Sequence, residues 1–308
     1  MKGLGILCPG QGNQHPAMFD KLLNCPAAQS ALSSASPAFG RHPGEYLRQL
    51  APPELYSNRP AQLLIGTLQM TTWTALRDRL PLPKVFAGYS MGELAAYGCA
   101  GALDIEETLV LMGKRAALMD EAAPRPAGLL AVRGLGREQV DSLCRSAGCE
   151  IAIINNPDHF VIGGPAEALK LCENSPLAAK ATTLKRLQVD VPSHTSWLCE
   201  AGRLFTDELN ASALSDPLHP VLAGVSGSVV RTREQAISAL GQQISQPINW
   251  LACMRAAVEM GCGVMLELGP GNALAKMLQE LFPEVKVRSV EDFRSLEGVA
   301  DWVERQCR

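Results

Sequence analysis

Apolar positions follow two rhythms along the chain. Short unbroken runs read as strands buried on both faces: "LGILC" from Leu4, "KVFAGYS" from Lys84, "HPVLAGVSG" from His219, "GVMLELGPG" from Gly263 and "VKVRSV" from Val285. Between them the apolar residues recur every three or four positions, which predicts helices. These cover Leu63 to Leu76, a segment starting at about Met91, and the stretches "DIEETLVLMGKRAALMDEAA", "REQAISALGQQI", "WLACMRAAVEMG", "NALAKMLQELF" and "SLEGVADWVERQ". Strands alternating with helices imply a parallel sheet covered on both faces. The helix after Leu103 has a clear start, with Asp104 placed to cap it and Glu107 three residues on, the spacing of a capping box. Its stripe is Ile105, Leu109, Met112, Ala116 and Met119. Arg115 falls on the flank of that stripe, and Lys114 points away.

The rhythm changes at "APRPAG", Ala123 to Gly128, where two prolines mark a boundary. Then come strand ("GLLAVRGL"), helix ("REQVDSLCRSAG"), two strands around Asn155-Asn156-Pro157-Asp158, helix ("AEALKLCENS") and strand ("TTLKRLQVDV"). That βαββαβ order is ferredoxin-like. The expected organisation is therefore a large α/β unit of residues 1–126 and 192–308, interrupted by a ferredoxin-like subdomain at 127–191. No internal repeat or low-complexity tract interrupts the pattern.

Composition narrows the function classes. The 308 residues are 47% hydrophobic and 19% charged, with a formal charge of −3. A chain that grips phosphates usually carries a basic excess, which argues against a nucleic-acid partner. The ten cysteines form no CxxC pair, so zinc is not indicated. The opening "MKGLGILCPGQG" is broken by Pro9 and Gly10, unlike a signal peptide, and no apolar run approaches a membrane span. The expectation is a cytoplasmic protein with reduced thiols, no membrane partner and no permanently bound cofactor. "GQGNQ" lacks both GxGxxG and Walker spacing.

Candidate chemistry centres on "GYSMG", a GxSxG between a strand and a helix. In such an elbow the serine stands on a sharp turn, Gly88 and Gly92 let strand and helix run close, and the N–H of Met91 faces developing negative charge. Ser90 is then a nucleophile, or else an incidental serine in a turn. A base is needed, and five histidines are present. His15, His42 and His219 each precede proline, and His159 lies in the strand pair of the insertion. His194, in "VDVPSHTSW", stands where the insertion returns to the larger unit, either as the base or as a structural histidine. Arg115, beside a buried stripe, calls for a fixed anion; an Asp or Glu of the chain and a substrate group remain equal alternatives.

Several motifs together resemble the malonyl-CoA:acyl carrier protein transacylases. "PGQGNQ" is similar to the family's GQG-x-Q loop, "GYSMGE" to its GHSxGE elbow, and "KRAALM" to its substrate-arginine helix. "NNPDHFVIGG" is similar to its insertion hairpin, "VPSH" to the segment with its histidine, "QQISQPINW" to its Q-x-x-x-P-V-x-W segment, and "ELGPG" to its late turn. The resemblance implies an α/β-hydrolase-like core and a ping-pong cycle through a malonyl ester of Ser90. His194 would be the base, oriented by the backbone carbonyl of Gln243 and not by an aspartate. Gln11 and Met91 would donate backbone N–H groups to the oxyanion, and Arg115 would hold the malonyl carboxylate. The substrates are then malonyl-CoA and an acyl carrier protein with a phosphopantetheine-type arm. Tyr89 stands where the family usually has histidine. With the "CPGQG" opening it resembles the epsilon subunit of malonate decarboxylase, whose other subunits become expected partners. Transacylases of fatty-acid or polyketide synthesis, a serine thioesterase or hydrolase, and a non-catalytic docking subunit are the alternatives. Carrier proteins are acidic, so Lys180, Lys185 and Arg186 form either a docking surface or a solvated face. Ser193 is expected to border the acyl pocket, and Asn155 to shape the insertion hairpin.

Overall fold

The computed structural model describes residues 2–308 and contains two sheets. The larger has six strands: β1 (Gly3–Cys8), β2 (Val85–Gly88), β7 (Val221–Leu222), β8 (Val229–Val230), β10 (Cys262–Glu267) and β11 (Lys286–Ser289), in the order β11-β10-β1-β2-β7-β8. The neighbours β10–β11, β10–β1, β1–β2 and β2–β7 are parallel. Their unbroken apolar runs follow from burial on both faces: Leu4, Ile6, Leu7, Val85, Phe86, Val264, Met265 and Leu266 all belong to one core. The sheet departs from the expected all-parallel arrangement at one edge, where β8 turns back antiparallel to β7. A tight turn at Ala223–Ser228 makes that return, with the Gly227 N–H donating to the Ala223 carbonyl at 2.7 Å. β8 is two residues between Ser228 and Arg231, too short to show a period, whereas the equally short β7 lies within the longer apolar run from His219.

The second sheet contains β3 (Ala127–Arg133), β4 (Glu150–Asn156), β5 (His159–Pro165), β6 (Thr183–Arg186) and β9 (Ile248–Asn249), in the order β6-β3-β5-β4-β9. Helices Arg137–Ala147 and Ala166–Glu173 cover it around a separate core that includes Leu130, Val140, Leu143, Phe160, Ile162 and Leu169. The first four strands have the ferredoxin-like order. The fifth, β9, comes from beyond residue 191 and pairs parallel with β4, Ile153 opposite Ile248 and Ile154 opposite Asn249. The hairpin is tighter than its sequence suggests. Asn155 and Asn156 end β4, leaving Pro157 and Asp158 as the turn, where the Asn156 side chain accepts from the Asp158 N–H at 2.9 Å.

The helices that frame the junction are Asn58–Leu76, Gly92–Cys99, Ile105–Ala122, Arg233–Ser245 and Trp250–Glu259. Asp104 caps helix Ile105–Ala122 by accepting from the Glu107 N–H at 2.8 Å. The reciprocal half of the expected capping box is missing, because the Glu107 carboxylate instead accepts from the Ala213 N–H at 3.2 Å. Helix Asn58–Leu76 is buried along most of its length and carries Gln62, Thr67, Gln69, Thr71 and Thr72 into the interior. Polar side chains so placed require partners there. No described helix is long and apolar enough to cross a membrane, and no described cluster of His, Cys, Asp or Glu is arranged to hold a metal ion.

Candidate active site

Ser90 stands two residues after the end of β2 and two before helix Gly92–Cys99, with φ of 56°. The turn is closed by hydrogen bonds from the Gly92 N–H to the Tyr89 carbonyl and from the Glu93 N–H to the Ser90 carbonyl, both 3.0 Å. A Cβ at Gly88 would overlap the backbone of Gly92 and Glu93, and one at Gly92 would overlap the carbonyls of Cys8 and Pro9. The two glycines are therefore what lets strand and helix pass so closely. The Pro9–Gly10 loop lies on the same turn: a Cβ on Gly10 would sit 2.9 Å from the Tyr89 carbonyl and 3.6 Å from the Ser90 Cβ. The N–H groups of Gln11 and Met91 have no acceptor among the described residues.

His194 is 1% exposed, and its Nε2 lies 2.8 Å from Ser90 Oγ. Its Nδ1 lies 2.5 Å from the backbone carbonyl of Gln243. A carbonyl only accepts, so Nδ1 carries the proton and Nε2 is left to accept from the serine hydroxyl. Burial, reinforced by the nearby Arg115 charge and partly offset by the Gln243 carbonyl, lowers the His194 pKa to about 3. The imidazole is thus neutral at physiological pH and equipped to take a proton. With φ of 64°, His194 shares the left-handed region with Ser90, and they are the two non-glycine residues there among those described. Such backbone costs about 1–3 kcal/mol per residue and concentrates at functional sites. The other four histidines have different surroundings. His15 meets Glu291 at 2.9 Å, His42 caps helix Pro43–Gln49, His159 lies by Asn155, and His219 packs against Phe86.

Arg115 is 2% exposed and has no ion-pair partner among the described residues, so the structure lacks the intramolecular salt bridge that is one reading of its position. Two amide oxygens hold it instead: Gln62 Oε1 accepts at 3.0 Å and Gln243 Oε1 at 3.1 Å. Both amides are oriented from behind. Gln62 Nε2 donates to Asn58 Oδ1 at 2.7 Å, and Asn58 Nδ2 donates to Asp120 Oδ1 at 3.1 Å. Gln243 Nε2 donates to the Ser90 carbonyl at 3.0 Å and to Glu93 Oε2 at 2.5 Å. Burial lowers the Arg115 pKa to about 10, which leaves it charged at neutral pH. Two of its five N–H groups are occupied by neutral amides, and the other three have no acceptor among the described residues.

Gln243 thus joins all three residues: its backbone oxygen meets His194, its amide oxygen Arg115, and its amide nitrogen the Ser90 carbonyl. Sequence reasoning singled out only its backbone. Gln62, Gln69 and Glu93 were missed as site residues. Glu93 closes the "GYSMGE" motif, and the glutamines look like solvated positions until the whole helix proves buried. Gln69 Nε2 donates to the Pro9 carbonyl at 2.6 Å and to the Gly269 carbonyl at 3.1 Å, tying the Gly10–Gln11 loop to the late Gly-Pro-Gly turn. A cavity of about 160 Å³ is lined in part by Gln11, Asn58, Asp120 and Arg125; neither it nor the larger cavities elsewhere are lined by Ser90, His194 or Arg115. Asn155 does more than shape its hairpin, since its side chain lies beside the Tyr89 hydroxyl, while the Tyr89 ring meets Trp250 edge-on at 5.4 Å. Ser193 is buried next to His194. In the basic cluster Arg186 is neutralised by Glu173 at 2.7 Å, leaving Lys180 and Lys185.

A serine hydroxyl on a neutral imidazole, two free backbone N–H groups by the elbow and a buried, unpaired guanidinium suit acyl transfer of a group bearing a negative charge. The family profile described as an acyl transferase domain matches residues 6–301. The malonyl CoA-acyl carrier protein transacylase of Haemophilus influenzae is 28% identical over 313 residues, covering 98% of this chain and all of that protein. The corresponding enzyme structure from Coxiella burnetii superposes with a TM-score of 0.93 at 27% identity, over all of this chain and 98% of that one. A malonyl-transacylase solved in complex with a type II polyketide synthase acyl-carrier protein superposes with a TM-score of 0.92 at 26% identity, over 97% of this chain and 99% of that one.

Proposed function

The chain belongs to the acyl transferase family, as an enzyme of the malonyl-CoA:acyl carrier protein transacylase type, and on that premise we propose that it transfers malonyl from CoA to the arm of an acyl carrier protein through an ester of Ser90. The observation that carries this reading is Arg115, a buried cation held by two neutral amides and paired with no carboxylate of the described chain. His194 Nε2 takes the Ser90 proton as Oγ attacks the thioester and returns it to the departing CoA sulfur. Gln11 and Met91 N–H groups stabilise the oxyanion. The carrier's thiol then attacks the ester, its proton passing to His194 and on to Ser90 Oγ, so each half-reaction returns His194 to its neutral form and the full cycle restores the Ser90 proton that left with CoA. No cofactor is needed. Incubation with malonyl-CoA gives a malonyl adduct on Ser90 by mass spectrometry, discharged by a holo-carrier protein. Absence of the adduct, or rapid hydrolysis without an acceptor, would reject the reading.

A second reading concerns the carrier. Tyr89 in place of the usual histidine favours the carrier protein of malonate decarboxylase, with its longer dephospho-CoA-type arm. The relatives named above support the general transacylase more directly. Comparing discharge by the two carriers decides between them.

Gln69 enters as a positioning residue for the oxyanion loop. Gln69→Leu removes both donors from the buried carbonyls of Pro9 and Gly269. A lost oxyanion donor costs about 10²–10³ in kcat, and a misplaced one less. The expected result is a fall in kcat of about tenfold with the KM for malonyl-CoA within about twofold. Equal changes in both would assign Gln69 a general packing role.

A further inference from the structure

Glu93 is the carboxylate buried against the site, three residues after Ser90 and 0% exposed. Its two oxygens differ. Oε2 accepts from the Gly224 N–H at 3.0 Å and from Gln243 Nε2 at 2.5 Å. Oε1 is buried and has no hydrogen-bond partner among the described residues. Five groups face it from the surrounding elements: Gln243, the Gly224 N–H after β7, Arg115, Tyr97 of its own helix, and Cys253 of helix Trp250–Glu259. Burial raises the pKa of both Tyr97 and Cys253, leaving Arg115 as the one charged neighbour at neutral pH. The Gln243 amide lies between the two charges, so Arg115 has a counter-charge without having a partner.

Granting the malonyl reading above, we propose that Glu93 balances Arg115 while the acyl pocket is empty and takes up one proton, on Oε1, when the malonyl carboxylate docks on the guanidinium. At pH 8, above the Glu93 pKa of about 7, the site without malonyl holds one buried cation and one buried anion. A second anion would leave the guanidinium shared between two carboxylates in a medium of low dielectric, which is costly. The malonyl carboxylate contacts the guanidinium and stays ionised; Glu93 reaches it only through an amide and is the group that neutralises. Its free Oε1 accepts the proton from bulk solvent, and the Oε2 bonds to Gly224 and Gln243 persist. Gln243 therefore keeps its orientation, and with it the supports of His194 and Ser90. Burial, opposed by Gln243, Gly224 and Arg115, already raises the Glu93 pKa to about 7, within reach of a bound carboxylate's further push.

The test is calorimetric titration of the Ser90→Ala chain with malonyl-CoA at pH 8, in two buffers of different protonation enthalpy. More than half a proton taken up per malonyl-CoA is expected, falling to near zero when Glu93→Gln is added and when acetyl-CoA replaces malonyl-CoA. The amide introduced by Glu93→Gln retains an oxygen for the Gly224 and Gln243 bonds, so the variant separates charge from hydrogen bonding. In the otherwise unmodified enzyme, the KM for malonyl-CoA rises severalfold between pH 7 and pH 9, by at most tenfold per unit, and Glu93→Gln flattens that rise. Normal malonyl-CoA binding without proton uptake, or uptake unchanged by Glu93→Gln, overturns the role of Glu93 alone. Failure of malonyl-CoA to bind Ser90→Ala or to acylate Ser90 overturns the malonyl reading and this one with it.

Discussion

Replacing His194 with asparagine lowers the rate of Ser90 acylation by about 10³-fold, within the 10²–10⁴ range for loss of a general base. The imidazole is the group 2.8 Å from the serine oxygen, and its second nitrogen is fixed on the Gln243 carbonyl. Asparagine suits the test because the φ of 64° at this position lies where asparagine is among the better-tolerated side chains. It preserves the backbone and removes the base. Stopped-flow measurement of CoA release in a single turnover reads the step directly, and a rate within tenfold of the parent enzyme would assign the proton to another group. The same experiment has a pH arm. A depressed folded pKa, here about 3, means that the neutral form persists as pH falls through the range where a free imidazole of pKa near 6.5 becomes protonated. The His194-dependent acylation rate is therefore expected to stay level between pH 7 and pH 5.

Replacing Arg115 with alanine lowers kcat/KM for malonyl-CoA by about 10²- to 10³-fold and leaves transfer from acetyl-CoA equal or faster. Removing one partner of a buried ion pair costs about 3–5 kcal/mol, and each 1.4 kcal/mol is a factor of ten. An acetyl group leaves the guanidinium of the parent enzyme facing no anion, whereas the alanine variant carries no such penalty. The two amide oxygens on Gln62 and Gln243 lose a donor in the variant, which sets a small common cost for both substrates. Competition between malonyl-CoA and acetyl-CoA for one enzyme sample cancels that cost and any loss of folded protein. An equal decline for both acyl groups would remove Arg115 from specificity and make it a structural cation.

The elbow was legible because its physics is local. A strand, a glycine on either side of a serine and a helix start are all written within a few residues, and the overlaps at Gly88 and Gly92 are their three-dimensional counterpart. The ferredoxin-like order was legible for a similar reason, since each of its elements is long enough to show a period. The connections around Arg115 were not. Gln243 lies 150 residues from Glu93 and 128 from Arg115, and no periodicity links residues so far apart. Gln62 and Gln69 occupy a helix whose burial is nearly complete, so their polarity, usually a sign of solvent, marks internal partners instead. Glu93 stood inside a quoted motif, but its position beneath Gln243 depends on the packing of helix Arg233–Ser245 over the elbow. The strands β8 and β9 escaped notice because β8 lies between polar neighbours and β9 directly follows a proline, whereas the equally short β7 lies within a longer apolar run.

β9 carries a practical lesson for anyone building hybrids of this enzyme. The chain from Gln243 runs within five residues into Ile248 and Asn249, which zip onto the edge of β4, while the Asn249 N–H also holds the Gly224 carbonyl at 2.8 Å. Exchange of residues 127–191 alone would transplant one half of that seam and keep the other, mismatching the strand edge just downstream of the glutamine on which His194 and Arg115 rest. A hybrid that carries Ile248 and Asn249 along with the insertion keeps the seam intact, so the natural unit of exchange is set by the sheet and not by a continuous stretch of chain.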